Sequence, residues 1–112
     1  MFARIERFNL SQGLAEIAEG LADQVEAILR AQGGFRSLTL LGDESSGEYL
    51  FLSFWERLED IDAFDRSRDE WRVRDIMSPY LTAVPQIEVY QLHNLPPADT
   101  IAPAGAAEPI AR

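Results

Sequence analysis

Glu48-Tyr49-Leu50-Phe51-Leu52-Ser53-Phe54-Trp55-Glu56 reads as a strand with two apolar faces. Side chains alternate along a strand, so Tyr49, Phe51, Ser53 and Trp55 point one way and Leu50, Leu52 and Phe54 the other. Neither set suits water. A chain of 112 residues has few ways to cover both sides of a sheet, and what covers each side decides the architecture. Which set faces the rest of the chain is not fixed by the spacing.

Upstream, Phe35 to Leu41 is a second strand, and the polar loop Gly42 to Gly47, bounded by glycines, joins the two as a hairpin. Before it, Leu14, Ile17, Leu21, Val25 and Ile28 recur at helical spacing, with Glu16, Glu19, Asp23 and Glu26 on the opposite, solvated side. Ser11 is the expected N-cap and Gly33-Gly34 the expected stop. Phe2 to Asn9 alternates as a first strand.

Downstream, Leu58, Ile61 and Phe64 repeat every three residues, with Glu59, Asp60 and Asp62 near the helix start. Ser67 followed by Glu70 is a capping-box pattern, so a second helical segment is expected there, carrying Trp71, Val73, Ile76 and Met77. Ser78-Pro79 could open one more short turn. Gln86 to Leu92 is the last strand. Residues 1–94 thus read as one domain and 95–112 as a Pro/Ala-rich tail.

The order strand, helix, strand, strand, helix, strand is the βαββαβ arrangement of a ferredoxin-like α+β fold with a four-stranded antiparallel sheet. Strands one and three are then central and both helices cover one face. The other apolar face calls for a second copy packed sheet to sheet. A usual interface of roughly 800 Å² per partner, half of it apolar, is worth on the order of 10 kcal/mol gross before association costs. A homodimer is expected.

Composition narrows the function. The absence of cysteine excludes disulfides and zinc-thiolate sites, and a net charge of −9 opposes binding to nucleic acid. All ten basic residues are arginine, which codon bias explains more simply than selection. No signal-like or membrane-spanning run is present, so a cytoplasmic protein without membrane partners is expected. One histidine, His93 at the end of the last strand, supports no metal site, and no glycine-rich phosphate loop or nucleophile elbow occurs.

Ser53-Phe54-Trp55-Glu56, followed by Leu58-Glu59-Asp60-Ile61-Asp62-Ala63-Phe64-Asp65-Arg66-Ser67, resembles the antibiotic-biosynthesis monooxygenase family of dimeric α+β barrel proteins. Members often show a strand, Trp-Glu, then a helix with a central aromatic. The likeness in element order runs from Phe2 to Leu92. It implies a pocket between sheet and helices, and, in the quinone-forming branch, oxygen chemistry on an aromatic or polyketide-like molecule with no cofactor. Haem degradation is disfavoured, because that branch's asparagine, tryptophan and histidine fall at Glu6, Phe64 and Arg74, and arginine is no axial ligand for iron. Trp55 matches the quinone-forming tryptophan, whereas the accompanying asparagine falls at Phe51.

Candidate site residues follow. Arg4 and Glu6 share one face of a central strand, where unpaired charge is costly. They are either a structural or interface pair or the lining of a polar pocket, with Glu6 as general base. Trp55 and Trp71 either pack in the core or wall a flat aromatic substrate together with Phe64 and Tyr80. Arg74, one turn after Trp71, either binds an anionic oxygen or is solvated. The two function classes are therefore a cofactor-independent monooxygenase, with Glu6 and Arg74 catalytic and Arg4, Trp55, Phe64, Trp71 and Tyr80 binding substrate, and a non-catalytic ligand-binding or interaction dimer.

Overall fold

The computed structural model describes residues 1–94, and the Pro/Ala-rich tail lies outside the described residues. Alternating side chains form β1 (Phe2–Asn9), β2 (Phe35–Asp43), β3 (Glu48–Trp55) and β4 (Gln86–Gln91). They make one antiparallel sheet in the order β2-β3-β1-β4. The opening stretch is therefore central, flanked by β1 and β2. Three helices, α1 (Ala15–Leu29), α2 (Leu58–Asp65) and α3 (Arg68–Met77), complete an α+β ferredoxin-like fold, with a 3₁₀ turn at Ser78–Tyr80 where Pro79 was expected to allow one.

Burial settles the two faces of β3. Tyr49, Phe51, Ser53 and Trp55 are buried against the helices, and Leu50, Leu52 and Phe54 are only partly covered. The register carries this across the sheet: Phe2, Arg4, Glu6 and Phe8 lie beside Trp55, Ser53, Phe51 and Tyr49, on the helix side. From α1, Leu21, Val25, Ile28 and Leu29 join them, and Ile61, Phe64, Val73 and Met77 come from α2 and α3. Fully burying side chains of this kind contributes about 1.5–3 kcal/mol each, so this layer is the main source of stability.

Local signals at element ends match the structure less closely. Ser11 does not cap α1: the cap position is Leu14, with no side-chain hydrogen bond, because residues 10–13 are tied to the hairpin instead. Leu10 N–H donates to Gly47 O at 2.8 Å and Gly13 N–H to Glu44 O at 3.2 Å. Gly47 is required there, since its φ is +79° and a Cβ would meet the Leu10 carbonyl oxygen. Nor does α1 reach Gly33-Gly34. It ends at Leu29 with Arg30 as C-cap, and Gly34 shapes the entry to β2, where its carbonyl accepts from Glu56 N–H at 2.9 Å. The hairpin is also longer than expected, β2 continuing through Gly42 and Asp43 because Gly42 leaves room for the Tyr49 ring beside it.

The start of α3 follows its sequence signal in part. The Ser67 hydroxyl oxygen accepts from Glu70 N–H at 3.4 Å. The reciprocal half of a capping box is missing, since Ser67 N–H donates to the Phe64 carbonyl. Two apolar positions point outward. Leu58 is exposed although it continues the spacing of Ile61 and Phe64, and Trp71, expected on the apolar side of α3, is 71% exposed. Val73 and Met77, four apart, define the buried stripe, and a residue two before Val73 falls on the opposite side of the helix.

Candidate active site

β1 carries the unusual cargo of this core: two charged residues among its apolar neighbours. Arg4 and Glu6 are 5% and 1% exposed, on the helix face of a central strand. Isolated charges there would cost several kcal/mol each, so their partners matter more than their presence.

The partners come from both later helices. The Arg4 Nε and Nη2 donate to Asp65 Oδ1 at 3.1 and 2.8 Å, from the last residue of α2. Its Nη1 donates to Glu6 Oε1 at 3.3 Å, and its guanidinium carbon lies 5.2 Å from the centre of the Phe64 ring, a cation–π contact. The other Glu6 oxygen, Oε2, accepts from Arg74 Nη2. Arg74 Nε lies 2.9 Å from Glu70 Oε2, too poorly aligned to be a hydrogen bond, and that buried Nε has no hydrogen-bond partner among the described residues. Asp65, Arg4, Glu6, Arg74 and Glu70 thus alternate in sign from α2 across β1 to α3, two positive groups against three negative.

One side of this chain of charges is open. Val89 and Ile87 of β4 are the register partners of Arg4 and Glu6 on the same face, yet they are 38% and 42% exposed. The face therefore runs from a sealed ion-pair cluster to an uncovered apolar strand within one strand spacing, about 4.8 Å. Trp71, three residues before Arg74, and Tyr80, in the turn after α3, are also exposed large side chains.

Of the residues singled out in the sequence, Arg4, Glu6, Phe64 and Arg74 form one contact group. Trp55 adjoins it through Phe64, at 5.7 Å between ring centres, and through a hydrogen-bond relay: its indole N–H donates to Ser53 Oγ at 2.9 Å, which donates to Arg4 O at 3.3 Å. Trp55 has no exposed surface, and Phe35 closes it from the other side at 5.4 Å. Trp71 and Tyr80 lie at the surface. Asp65 and Glu70 were not singled out. Asp65 lies within the helix that follows Trp55-Glu56 and Glu70 within a capping pattern, and nothing local marks either as a partner of the β1 cluster. Arg74 at i+4 from Glu70 was the one available signal.

Elsewhere, the Tyr49 hydroxyl is buried without a hydrogen-bond partner among the described residues, and burial pushes its pKa above the usual 10.0, helped by Glu44, Asp43 and Glu19. Among the described residues no cluster of three or more His, Asp or Glu converges as a metal site, and no helix is long and apolar enough to cross a membrane.

A family model described as antibiotic biosynthesis monooxygenase matches residues 1–73, ending one residue before Arg74. A search of curated proteins gives no match. Among solved structures, the Mycobacterium tuberculosis protein Rv0793 is similar, at 24% identity and a TM-score of 0.64, over 87% of this chain and 97% of that one. A Bordetella bronchiseptica protein described as a candidate antibiotic biosynthesis monooxygenase superposes at a TM-score of 0.70 with 18% identity, over 81% and 95% of the two chains. SnoaB of Streptomyces nogalater, described as a cofactor-independent oxygenase, gives 0.70 with 16% identity, over 86% and 96%. At these identities the likeness is one of fold.

Proposed function

This chain belongs to the antibiotic biosynthesis monooxygenase family, and on that premise we propose that it is a homodimeric, cofactor-independent monooxygenase acting on an aromatic or polyketide-like small molecule. The observation that carries the reading is Arg74. It is a partly exposed member of the charge cluster, its side chain 26% exposed, and it pairs with the sealed carboxylate of Glu6. Exposed apolar side chains stand on the elements next to the cluster: Ile87 and Val89, the register partners of Glu6 and Arg4, and Trp71, three residues before Arg74. A guanidinium held from behind by Glu6 is preorganised to meet an oxyanion that develops on the substrate.

The reaction class is self-sufficient in electrons. A ring CH₂ flanked by aryl groups reacts with O₂ to give C=O and water: two C–H bonds and the O–O bond break, and the substrate supplies all four electrons. The protein's part is to bind the ring, hold the anion formed by proton loss and exclude water. Arg4, itself stacked over Phe64, and Arg74 hold Glu6 in place. Trp55, fully buried, supports that wall from inside.

The homodimer rests on the face opposite. Ile5, Leu50, Leu52 and Phe54 are partly exposed and Leu41 is 46% exposed, a contiguous apolar surface across β1, β3 and β2. A second copy of the chain is the economical cover.

Oxygen uptake with a panel of quinols and anthrones tests the activity. Wild-type protein is expected to consume O₂ above the uncatalysed rate, and Arg74→Gln to lose about 100-fold or more of that excess, as for a lost oxyanion donor. The second reading, a non-catalytic ligand-binding dimer, is favoured by the double pairing of Glu6, which leaves neither of its oxygens free. Ligand binding without O₂ consumption would select it.

A further inference from the structure

We propose that Glu70 is the proton acceptor of this site, and that Glu6, buried and doubly paired, is a positioning residue. The inference rests on the monooxygenase reading above. It turns on which of the cluster's three carboxylates can still accept a proton from a bound molecule.

Glu6 cannot do so without giving up one of two hydrogen-bonded arginines, whereas Glu70 has a single ion pair, to Arg74, without a hydrogen bond in it. The Glu6 Oε1 is held by Arg4 and its Oε2 by Arg74, and its side chain is 2% exposed. Asp65 receives two N–H groups of Arg4 on a single oxygen at the far end of the cluster, one element removed from Arg74. Glu70 differs from both. Its carboxylate accepts no hydrogen bond of normal geometry among the described residues, its only charged neighbour being the misaligned Arg74 Nε at 2.9 Å.

Its structural role as a capping residue is also vacant. In a capping box the carboxylate at this position would reach back to the backbone N–H of Ser67, but that N–H is bonded to Phe64 O. What Glu70 contributes to the cap is its backbone N–H, which any residue but proline supplies. The side chain, 18% exposed, is mostly desolvated yet reachable. It sits one turn before Arg74 on the same side of α3, so base and oxyanion donor are presented by one rigid element.

The step is then simple to write. A substrate C–H bond breaks, the proton passes to a Glu70 carboxylate oxygen, and the electron pair stays on the substrate as an enolate whose oxygen faces Arg74. The total charge of the site is unchanged: Glu70 becomes neutral and the negative charge moves to the enolate oxygen beside Arg74.

Anaerobic mixing with 1,8-dihydroxyanthrone isolates this step, because its enolate absorbs in the visible and no oxygen is present to consume it. Quenching of the exposed Trp71 reports binding in the same cuvette, Trp55 being sealed. Wild-type protein is expected to bind the anthrone and form the enolate. Glu70→Gln is expected to bind it with enolate formation slowed about 100-fold, in line with the loss of a general base, and Glu70→Asp to recover part of the rate. Enolate formation by Glu70→Gln at the wild-type rate would overturn the assignment while leaving the monooxygenase reading intact. Binding by the wild type with no enolate at all would overturn both.

Discussion

The two faces of the sheet handle their awkward residues in opposite ways. On the helix side the awkward residues are charges, and the chain compensates them itself, with Asp65, Glu70 and Arg74 brought from two helices to Arg4 and Glu6. On the open side they are apolar, Leu41, Leu50, Leu52, Phe54 and Ile5, and nothing in the described residues covers them fully. Internally satisfied charge beside an uncovered strand suits a ligand. Uncompensated apolar surface suits a second subunit.

Breaking the helix side has the largest expected effect. Glu6→Ala leaves Arg4 and Arg74 without their shared partner in a closed layer, and a loss of about 3–5 kcal/mol is expected in urea unfolding, as for other broken buried pairs. A loss below 1 kcal/mol would mean that water already reaches the cluster. On the open side, Leu52→Asp places a charge in the middle of the proposed interface. Light scattering is expected to show at least a 100-fold weaker dimer, equivalent to about 3 kcal/mol, with the monomer still folded. An unchanged dimer would move the interface elsewhere.

Smaller changes sharpen the contrast. Gly42→Ala drives a Cβ into the Tyr49 ring, and since that ring stacks on Phe8 at 5.8 Å its displacement should cost about 1–3 kcal/mol in thermal or urea melts. The smallest effect belongs to a partly exposed carboxylate. Hydrogen bonds from Gln32, then Arg72, hold the Asp69 pKa below its ordinary 3.8. Below about pH 4 the unfolded chain therefore binds the proton first, and the stability from this group, present above that pH, is lost as pH falls further. Asp69→Asn should flatten the urea midpoint between about pH 2.5 and 4.5 slightly, and a steeper dependence would reverse the assigned sign.

Much of this architecture could be read in the chain. All four strands stood where expected, the second marked by its glycine-bounded hairpin loop, as did the Ser67 cap and the Pro79 turn, because each depends on a few adjacent residues. The start of α1 departs from the Ser11 signal because Leu10 and Gly13 spend their backbone groups on the distant hairpin, a tertiary contact with no local mark. Of the two readings of Trp71, core packing fails because its phase relative to Val73 and Met77 turns it to the surface. Arg4, Glu6 and Arg74 were legible as charges in strange places. Their partners Asp65 and Glu70 were not, since 61 residues separate Arg4 from Asp65 and only the fold joins them.

The most direct test sets one variant from each face side by side: oxygen consumption on 1,8-dihydroxyanthrone and light-scattering mass, measured for wild type, Arg74→Gln and Leu52→Asp. The expected result is that wild type is a dimer that consumes oxygen, Arg74→Gln stays a dimer but loses about 100-fold of the rate, and Leu52→Asp becomes a monomer. Oxygen consumption at the uncatalysed rate by wild-type dimer, or at the wild-type rate by Arg74→Gln, would contradict the assignment of the charge cluster as an active site.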